Sequence, residues 1–598
     1  MNWKLLGRSS LLLAVGLVWT LLLSGQDARP TSTLEGVWEA RRNFGPMVRG
    51  RLDVTRSNGT WRARINQFDS PVAFQNGRLS FELPTQQGWF KGRLEKDGSL
   101  IRGHWIQPPT VNDGAKFASP VILRPYGKDR WCGEVIPLED EWTLYLVVFR
   151  KSDGLLGAFV RNPDRNVGVF WDVDRLEQEA NRIKLIGKYR HRGPDRVVAE
   201  GTYYPDDNRI SLYFPSRGGT FDFFLLSDEP TPGFYARGKN PPPYKYHPPT
   251  ADDDGWEVGT LEDAGMVSEP ITQLVGIIDA TATSVHDDDI HGFLVARHGK
   301  LVAEEYFHGF YKLKPHDTRS ASKSVTSTLV GAAIQSGIDL ALSTRVYDLL
   351  YKGQLPRDID PRKREMTIEH LLTMSSGYDC DDNADAPRPG SEDTLTDEQP
   401  DRDYYHYTLQ LPMELSPGQQ AVYCSINPNL LGAVLRAATD RPVEELFQDL
   451  IAEPLHIQHY YLNLQPTGEP YLGGGMHFFP RDFMKFGQLM LNGGEWNGKR
   501  ILSKQYALRA SSPNVTLRGE SPGMKYGYLW WTIEYPYKGR TVRAYFASGN
   551  GGQEVLVIPE LDMVIACYGG NYSDRGGWKM VREYIPKFIL PALKDESR

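Results

Sequence analysis

The run Asn240-Pro241-Pro242-Pro243-Tyr244-Lys245-Tyr246-His247-Pro248-Pro249 constrains this chain most, because five of its ten residues are proline. Proline fixes φ and removes a backbone donor, so neither a helix nor a central strand continues through such a stretch. A stiff, extended linker is expected over 239–255, carried on by Asp252-Asp253-Asp254. The 598 residues exceed one ordinary core, so a domain boundary near 245 is the natural consequence.

Residues 34–238 read as all-β. Short alternating runs such as Trp61-Arg62-Ala63-Arg64-Ile65 and Thr143-Leu144-Tyr145-Leu146-Val147-Val148-Phe149 are punctuated by Asn58-Gly59, Asn76-Gly77, Asp97-Gly98 and Asp153-Gly154. A loose internal repeat relates the stretch from Asn58 through Asn76-Gly77 to the 90–108 hairpin with the stretch from Asp153 through Asn181 to the 199–215 hairpin. Two related antiparallel units, forming a barrel or a sandwich, are expected. No catalytic or metal-like constellation stands out there, which leaves a ligand-binding accessory domain or a structural companion.

The first thirty residues read as an export segment: Lys4 and Arg8 precede an apolar run from Leu11 to Leu23, followed by Ser24-Gly25-Gln26-Asp27. That run is short for a spanning helix, no lipidation cysteine follows it, and no clean cleavage site is visible. A cleaved signal peptide and an uncleaved membrane tether both stay open. Either places the body of the protein outside the cytoplasm, periplasmic, secreted or held at the inner membrane. A net charge of −7 gives no electrostatic case for nucleic acid. The four cysteines, Cys132, Cys380, Cys424 and Cys567, have no zinc-site spacing.

Residues 256–598 mix helix and strand. Phe293–Arg297 and Leu301–Phe307 flank His298-Gly299-Lys300 as a hairpin. Helices are expected over 366–372, 429–438 and 481–492, strands over 528–533, 541–547, 554–558 and 563–568, and a last helix over 579–593. Strands at both ends of a helical middle predict one antiparallel sheet, built from both ends of the domain and flanked by helices: an α+β architecture.

Within it, Ser320-Ala321-Ser322-Lys323 is the single SxxK match, where composition predicts about one or two in a chain this long. On a helix, i and i+3 share a face, so the Lys323 amine reaches the Ser320 hydroxyl near the helix N-terminus. A nucleophile, its base and oxyanion donors would meet there. Equally, Ser320 is a helix cap and Lys323 a solvated side chain; the local sequence supports both. The rival Gly519-Glu520-Ser521-Pro522-Gly523 fits the GxSxG pattern, but lacks the strand–turn–helix setting that motif needs and reads as a loop. His286-Asp287-Asp288-Asp289-Ile290-His291 reads as an acidic, solvated loop rather than a metal site.

Taken together, residues 256–598 resemble the serine-reactive β-lactamase and penicillin-binding-protein superfamily, on the side of class C β-lactamases, esterases and aminohexanoate-oligomer hydrolases. The matching landmarks run in order. Ser320-Ala321-Ser322-Lys323 and Thr367–Gly377 come first, then Pro417-Gly418, Tyr423-Cys424-Ser425 and Leu430-Leu431-Gly432. Gly473-Gly474-Gly475-Met476 with Arg481-Asp482, Tyr526–Trp531 and Ala547-Ser548-Gly549-Asn550-Gly551-Gly552-Gln553 follow. The resemblance implies a β-lactamase-like fold and Ser320 as nucleophile with Lys323 as its base, the Lys323 pKa lowered by burial and a neighbouring positive charge. It also implies Tyr423 as the proton carrier, Ser425 as a hydrogen-bonding residue facing substrate, and the backbone N–H groups of Ser320 and Asn550 as the oxyanion hole. Ala547, Ser548 and Gly549 would line that strand, and no metal or organic cofactor is implied.

Two positions depart from the family. Ala547 stands where class C enzymes carry a lysine that binds the substrate carboxylate, and Ser425 replaces an asparagine. Both shift the expectation toward a neutral, small-molecule ester or amide, cleaved through a Ser320 acyl-enzyme. The alternatives are a D-peptidase or β-lactamase acting on cell-wall-like amides, and a non-turnover penicillin-binding sensor. Because Cys380 follows the Ser-Gly turn and Cys424 adjoins Tyr423, both should border the active site of such a protein, as a Cys380–Cys424 disulfide pinning its rim or as two independent buried thiols.

Overall fold

The computed structural model describes residues 34–594, apart from 44–46, 110–113, 140, 166–170, 190–191, 216–218, 227–232, 281–288, 522 and 573–577. The export segment read at 1–30 lies outside the described residues. Among those described, no helix is long and apolar enough to cross a membrane.

The all-β half resolves into two nested meanders. One is a closed eight-stranded barrel of Gly36–Asn43, Glu141–Arg150, Leu156–Arg161, Val173–Glu179, Arg182–Tyr189, Arg192–Tyr204, Arg209–Phe214 and Gly219–Leu225. Its first and last strands meet antiparallel, with Trp38 opposite Leu225. The period-2 alternation sends Trp38, Leu144, Leu146, Ile183, Leu185, Ile210, Leu212, Phe221 and Phe223 inward, where all are buried.

The other unit is inserted between the first two barrel strands. Nine strands from Gly50–Ser57 to Arg130–Val135 form a continuous antiparallel sheet around their own core, with Trp61 stacked on Trp131 at 5.3 Å. The loose repeat thus corresponds to two β-units, but one sits inside a connection of the other. Strand Gly36–Asn43 belongs to the later barrel, as its eight-residue register with Glu141–Arg150 shows.

The 256–598 half carries an eight-stranded sheet in the order Glu257–Val258, Lys300–Tyr306, Ile290–Arg297, Met563–Gly569, Gln553–Ile558, Arg540–Gly549, Trp531–Tyr537 and Lys525–Tyr526. Strands from the two ends of the domain lie side by side, with Phe293 opposite Cys567. The strand expected from Tyr528 begins only at Trp531, because Leu529 takes φ 60° and breaks the extended run. Helix Ser322–Gln335 is buried on almost every side. Its small residues permit this: a Cβ on Gly331 would stand 2.5 Å from the Tyr506 ring.

The proline-rich stretch is extended, but it is not a free spacer. Tyr244 donates to Glu305 at 2.5 Å, Tyr246 donates to the Val302 carbonyl at 2.9 Å, and the Thr250 carbonyl accepts from Arg481. An extended proline-rich chain has no internal hydrogen bonds, so its polar groups find partners on the surface it crosses.

Both β-units are fastened to the mixed domain. Strand Lys116–Gly127 pairs with Tyr460–Leu464, placing Ala118 opposite Leu462, Phe117 opposite Asn463 and Lys116 opposite Leu464. Arg78, Arg93 and Arg102 reach Glu445, Asp449 and Glu453 across the same junction. At the barrel junction, buried Arg161 meets buried Asp289 at 2.5 Å, and His291 Nε2 contacts the Pro163 carbonyl at 2.7 Å. This corrects the solvated reading of the acidic stretch for Asp289 and His291: the barrel supplies the cation and the cover. His286, Asp287 and Asp288 lie outside the described residues.

Candidate active site

Ser320 sits where a tight turn becomes a helix. Arg319 adopts φ 47°, with its N–H donating to Asp317 at 2.9 Å, and a 3-10 turn over Arg319–Ala321 leads into Ser322–Gln335. Strand Arg540–Gly549 presses against that turn. A Cβ on Gly549 would meet the Thr318 carbonyl oxygen at 2.3 Å, so only glycine permits this approach.

Lys323 is 1% exposed and donates to the Ser320 hydroxyl at 2.9 Å and to the Gly473 carbonyl at 2.5 Å. Its ammonium lies 5.1 Å from the centre of the Tyr423 ring, and both Lys323 and Ser320 draw the Tyr423 hydroxyl's pKa down against burial. Trp531 stacks on Tyr423 at 5.8 Å and Tyr526 meets it edge-on at 6.4 Å. The structure therefore brings Ser320, Lys323 and Tyr423 together.

Two carboxylates that sequence reasoning missed lie close behind. Asp382 accepts hydrogen bonds from the Ser425 N–H and hydroxyl, each at 2.7 Å, and from the Glu392 N–H at 2.8 Å. The Asp382 N–H donates to the Tyr423 carbonyl at 2.9 Å, and Tyr471 donates to Glu392 at 2.6 Å. Cys380 and Cys424 are joined by a disulfide, with Cα atoms 6.0 Å apart. It ties the Asp382 segment to the Tyr423 turn. The one local signal was the position of Asp382, two residues after Cys380; nothing in the sequence placed Glu392 there.

These neighbours reverse one electrostatic expectation. Burial pulls the Lys323 pKa down, but Tyr423, Glu392 and Asp382 together raise it above the ordinary lysine value. The leading influences on it beside burial are an acid-bearing set and not a positive neighbour, which favours the ammonium. Burial, reinforced by Glu392, pushes Asp382 up to about 6 against the pull of Lys323 and Ser425. Burial also raises Tyr423, opposed by Lys323 and by the Ser320 hydrogen bond.

The substrate-facing positions separate. Ser425 was expected to face substrate; it is fully buried, and its hydroxyl is spent on Asp382. Ser548 was placed in the oxyanion strand, but its side chain leaves the opposite face of the sheet from Gly549. It is paired with Glu554 and lies on the face where Phe546 meets Trp578. Ala547 shares the Gly549 face and is buried. Asn550, just beyond the strand, lines a cavity of about 720 Å³ together with Ser320. Glu392, Asp393, Asp397, Arg402, Tyr471, Gly474 and Gly475 line it too, as do Pro109, Gly114, Ala115 and Lys116 from the inserted β-unit.

A serine–lysine–tyrosine cluster at the N-terminus of a buried helix, backed by an antiparallel sheet, defines a β-lactamase-like serine hydrolase domain. Residues 280–569 match the family model described as Beta-lactamase. The chain is 27% identical over 329 residues to a 6-aminohexanoate-dimer hydrolase of Paenarthrobacter ureafaciens, spanning 51% of this chain and 79% of that protein. Among solved structures, it is similar to a 6-aminohexanoate-dimer hydrolase assigned in Bacillus anthracis (23% identity, 51% of this chain, 79% of that one, TM-score 0.42). It is also similar to a β-lactamase assigned in Bacteroides dorei (17% identity, 54% and 99%, TM-score 0.43).

Proposed function

We propose that this protein is an exported serine hydrolase that cleaves a small ester or amide through an acyl-enzyme on Ser320. The observation that carries the reading is the 2.9 Å contact between Lys323 and Ser320, with the Tyr423 ring 5.1 Å from the ammonium, beside an open cavity.

The Ser320 oxygen attacks the substrate carbonyl, and its proton passes to the Lys323–Tyr423 pair. Because both members hold their protons firmly, the pair must first lose one to serve as base. The oxyanion is received by the N–H groups of Ser320 and Asn550. The pair then protonates the departing alcohol or amine; in the second half it takes a proton from the attacking water and returns it to the Ser320 oxygen as the C–Oγ bond breaks and the acid leaves. The curated relative acts on 6-aminohexanoate dimers, which makes a short linear amide the first substrate to try.

Labelling with a fluorophosphonate and a fluorescent penicillin, for wild type and Ser320→Ala, tests the reading. Fluorophosphonate labelling of wild type alone is expected. If neither probe marks Ser320, the hydrolase reading fails; stable labelling by penicillin alone replaces it with a sensor. Cell fractionation tests export, with the protein expected outside the cytoplasm.

A further inference from the structure

We infer that the inserted β-unit is one wall of the substrate cleft, and that its Lys116 binds a carboxylate on the substrate. The inference rests on the proposed hydrolysis at Ser320 and adds to it the charge of the molecule cleaved.

The cavity beside Ser320 is continuous with Pro109, Gly114, Ala115 and Lys116. This wall is built rather than merely adjacent. The strand carrying Lys116 is hydrogen-bonded to Tyr460–Leu464, so Asn463 and Leu464 of one sheet and Lys116 of the other line the cavity side by side. Around that joint, buried His104 contacts the Tyr460 hydroxyl at 2.8 Å, and Arg93 reaches Asp449 at 2.7 Å. A ladder with such anchors fixes the backbone from which Lys116 projects, so the strand itself needs no ordering on binding.

Three cations line the cavity, and they are not equivalent. Arg319 is occupied, 3.1 Å from Asp317 and 4.9 Å from the Tyr572 ring. Arg402 comes from the same stretch of chain as Glu392, Asp393 and Asp397, three carboxylates that line the cavity with it. Lys116 has no carboxylate partner among the described residues; its ammonium lies 5.7 Å from the Trp89 ring. The strand behind Ser320 supplies no charge, since Ala547, Ser548 and Gly549 are neutral. Lys116, the one of the three carried by the inserted β-unit and the one whose strand register is fixed against Leu464, is the cation assigned to an anionic substrate group. Glu392, Asp393 and Asp397, which line the same cavity, repel that group, so charge also bears on which way round the substrate lies.

The test compares three esters: neutral p-nitrophenyl butyrate, mono-p-nitrophenyl glutarate with a carboxylate on the acyl side, and 4-carboxyphenyl butyrate with one on the leaving group. In Lys116→Ala, KM for one of the two carboxylated esters should rise about tenfold with kcat unchanged, as expected on removing a single charge-assisted hydrogen bond. The neutral ester should be unaffected, and Lys116→Arg should restore the wild-type value. Protection of Ser320 from a fluorophosphonate by glutarate gives a reading without turnover, and wild type should be protected at lower concentration than Lys116→Ala. Equal effects on neutral and carboxylated esters, or none, with Ser320 still labelled, would overturn the Lys116 assignment alone. An unlabelled Ser320 would overturn the hydrolase reading and this assignment with it.

Discussion

The Lys323 ammonium lies 2.5 Å from the Gly473 carbonyl oxygen and 2.9 Å from the Ser320 hydroxyl. A carbonyl accepts and cannot donate, so this contact favours the charged lysine. Lys323→Met, which keeps the stem and removes the charge, should lower kcat/KM by about 10²–10⁴ while leaving the fold intact. Single-turnover acylation with far-ultraviolet circular dichroism checks both.

Asp382 and Glu392 strengthen the ammonium further. Removing one negative charge weakens it, so the free amine should appear at lower pH in Asp382→Asn. The alkaline rise of kcat/KM should therefore move toward neutrality relative to wild type. An unmoved or upward-shifted limb in the pH–rate profile would show that Lys323 is not tuned from this side.

The Cys380–Cys424 bridge closes a loop over a sequence separation of 44 and holds the Asp382 segment against the Tyr423 turn. The double variant Cys380→Ser, Cys424→Ser should lose about 2–4 kcal/mol of stability. Its kcat should fall more than its KM changes, since Tyr423 loses its support. Denaturant unfolding and steady-state kinetics on the same preparation separate the two effects.

Glu554 is buried with both carboxylate oxygens unpartnered among the described residues, and burial pushes it up to about 8 from an ordinary 4.5. The native state thus keeps a proton that the unfolded chain gives up. The associated stability is full below about 4.5 and is lost as pH rises toward 8. Glu554→Gln should flatten that decline. Melting temperatures at pH 5 and pH 8.5 should differ more for wild type than for the variant.

What the sequence revealed was local. The spacing of Ser320 and Lys323 needs only one helical turn, and the turn dipeptides of the β-half need only neighbours. What it concealed depends on residues far apart in the chain. Asp382 and Glu392 face Lys323 because a disulfide and several loop hydrogen bonds carry their segment under Tyr423, and no periodicity encodes that. Ser425 occupies the expected landmark, yet the acid behind it turns its hydroxyl inward. Asp289 and His291 look solvated until Arg161 and Pro163 arrive from another sheet. The nesting of one β-unit inside the other follows from the pairing of Gly36–Asn43 with Glu141–Arg150, and strand patterns alone do not specify pairing across so long an insertion.

Gly549 rests on the turn that carries Ser320, and Asn550 follows it, so the two halves of the reacting centre come from opposite ends of the catalytic domain. On a ribosome, the serine and lysine emerge long before the strand proposed to receive the oxyanion. A nascent or truncated chain would hold an exposed nucleophile with nothing to stabilise charge beside it. The proposed chemistry would therefore require the chain to be made past Asn550 and the sheet to have closed.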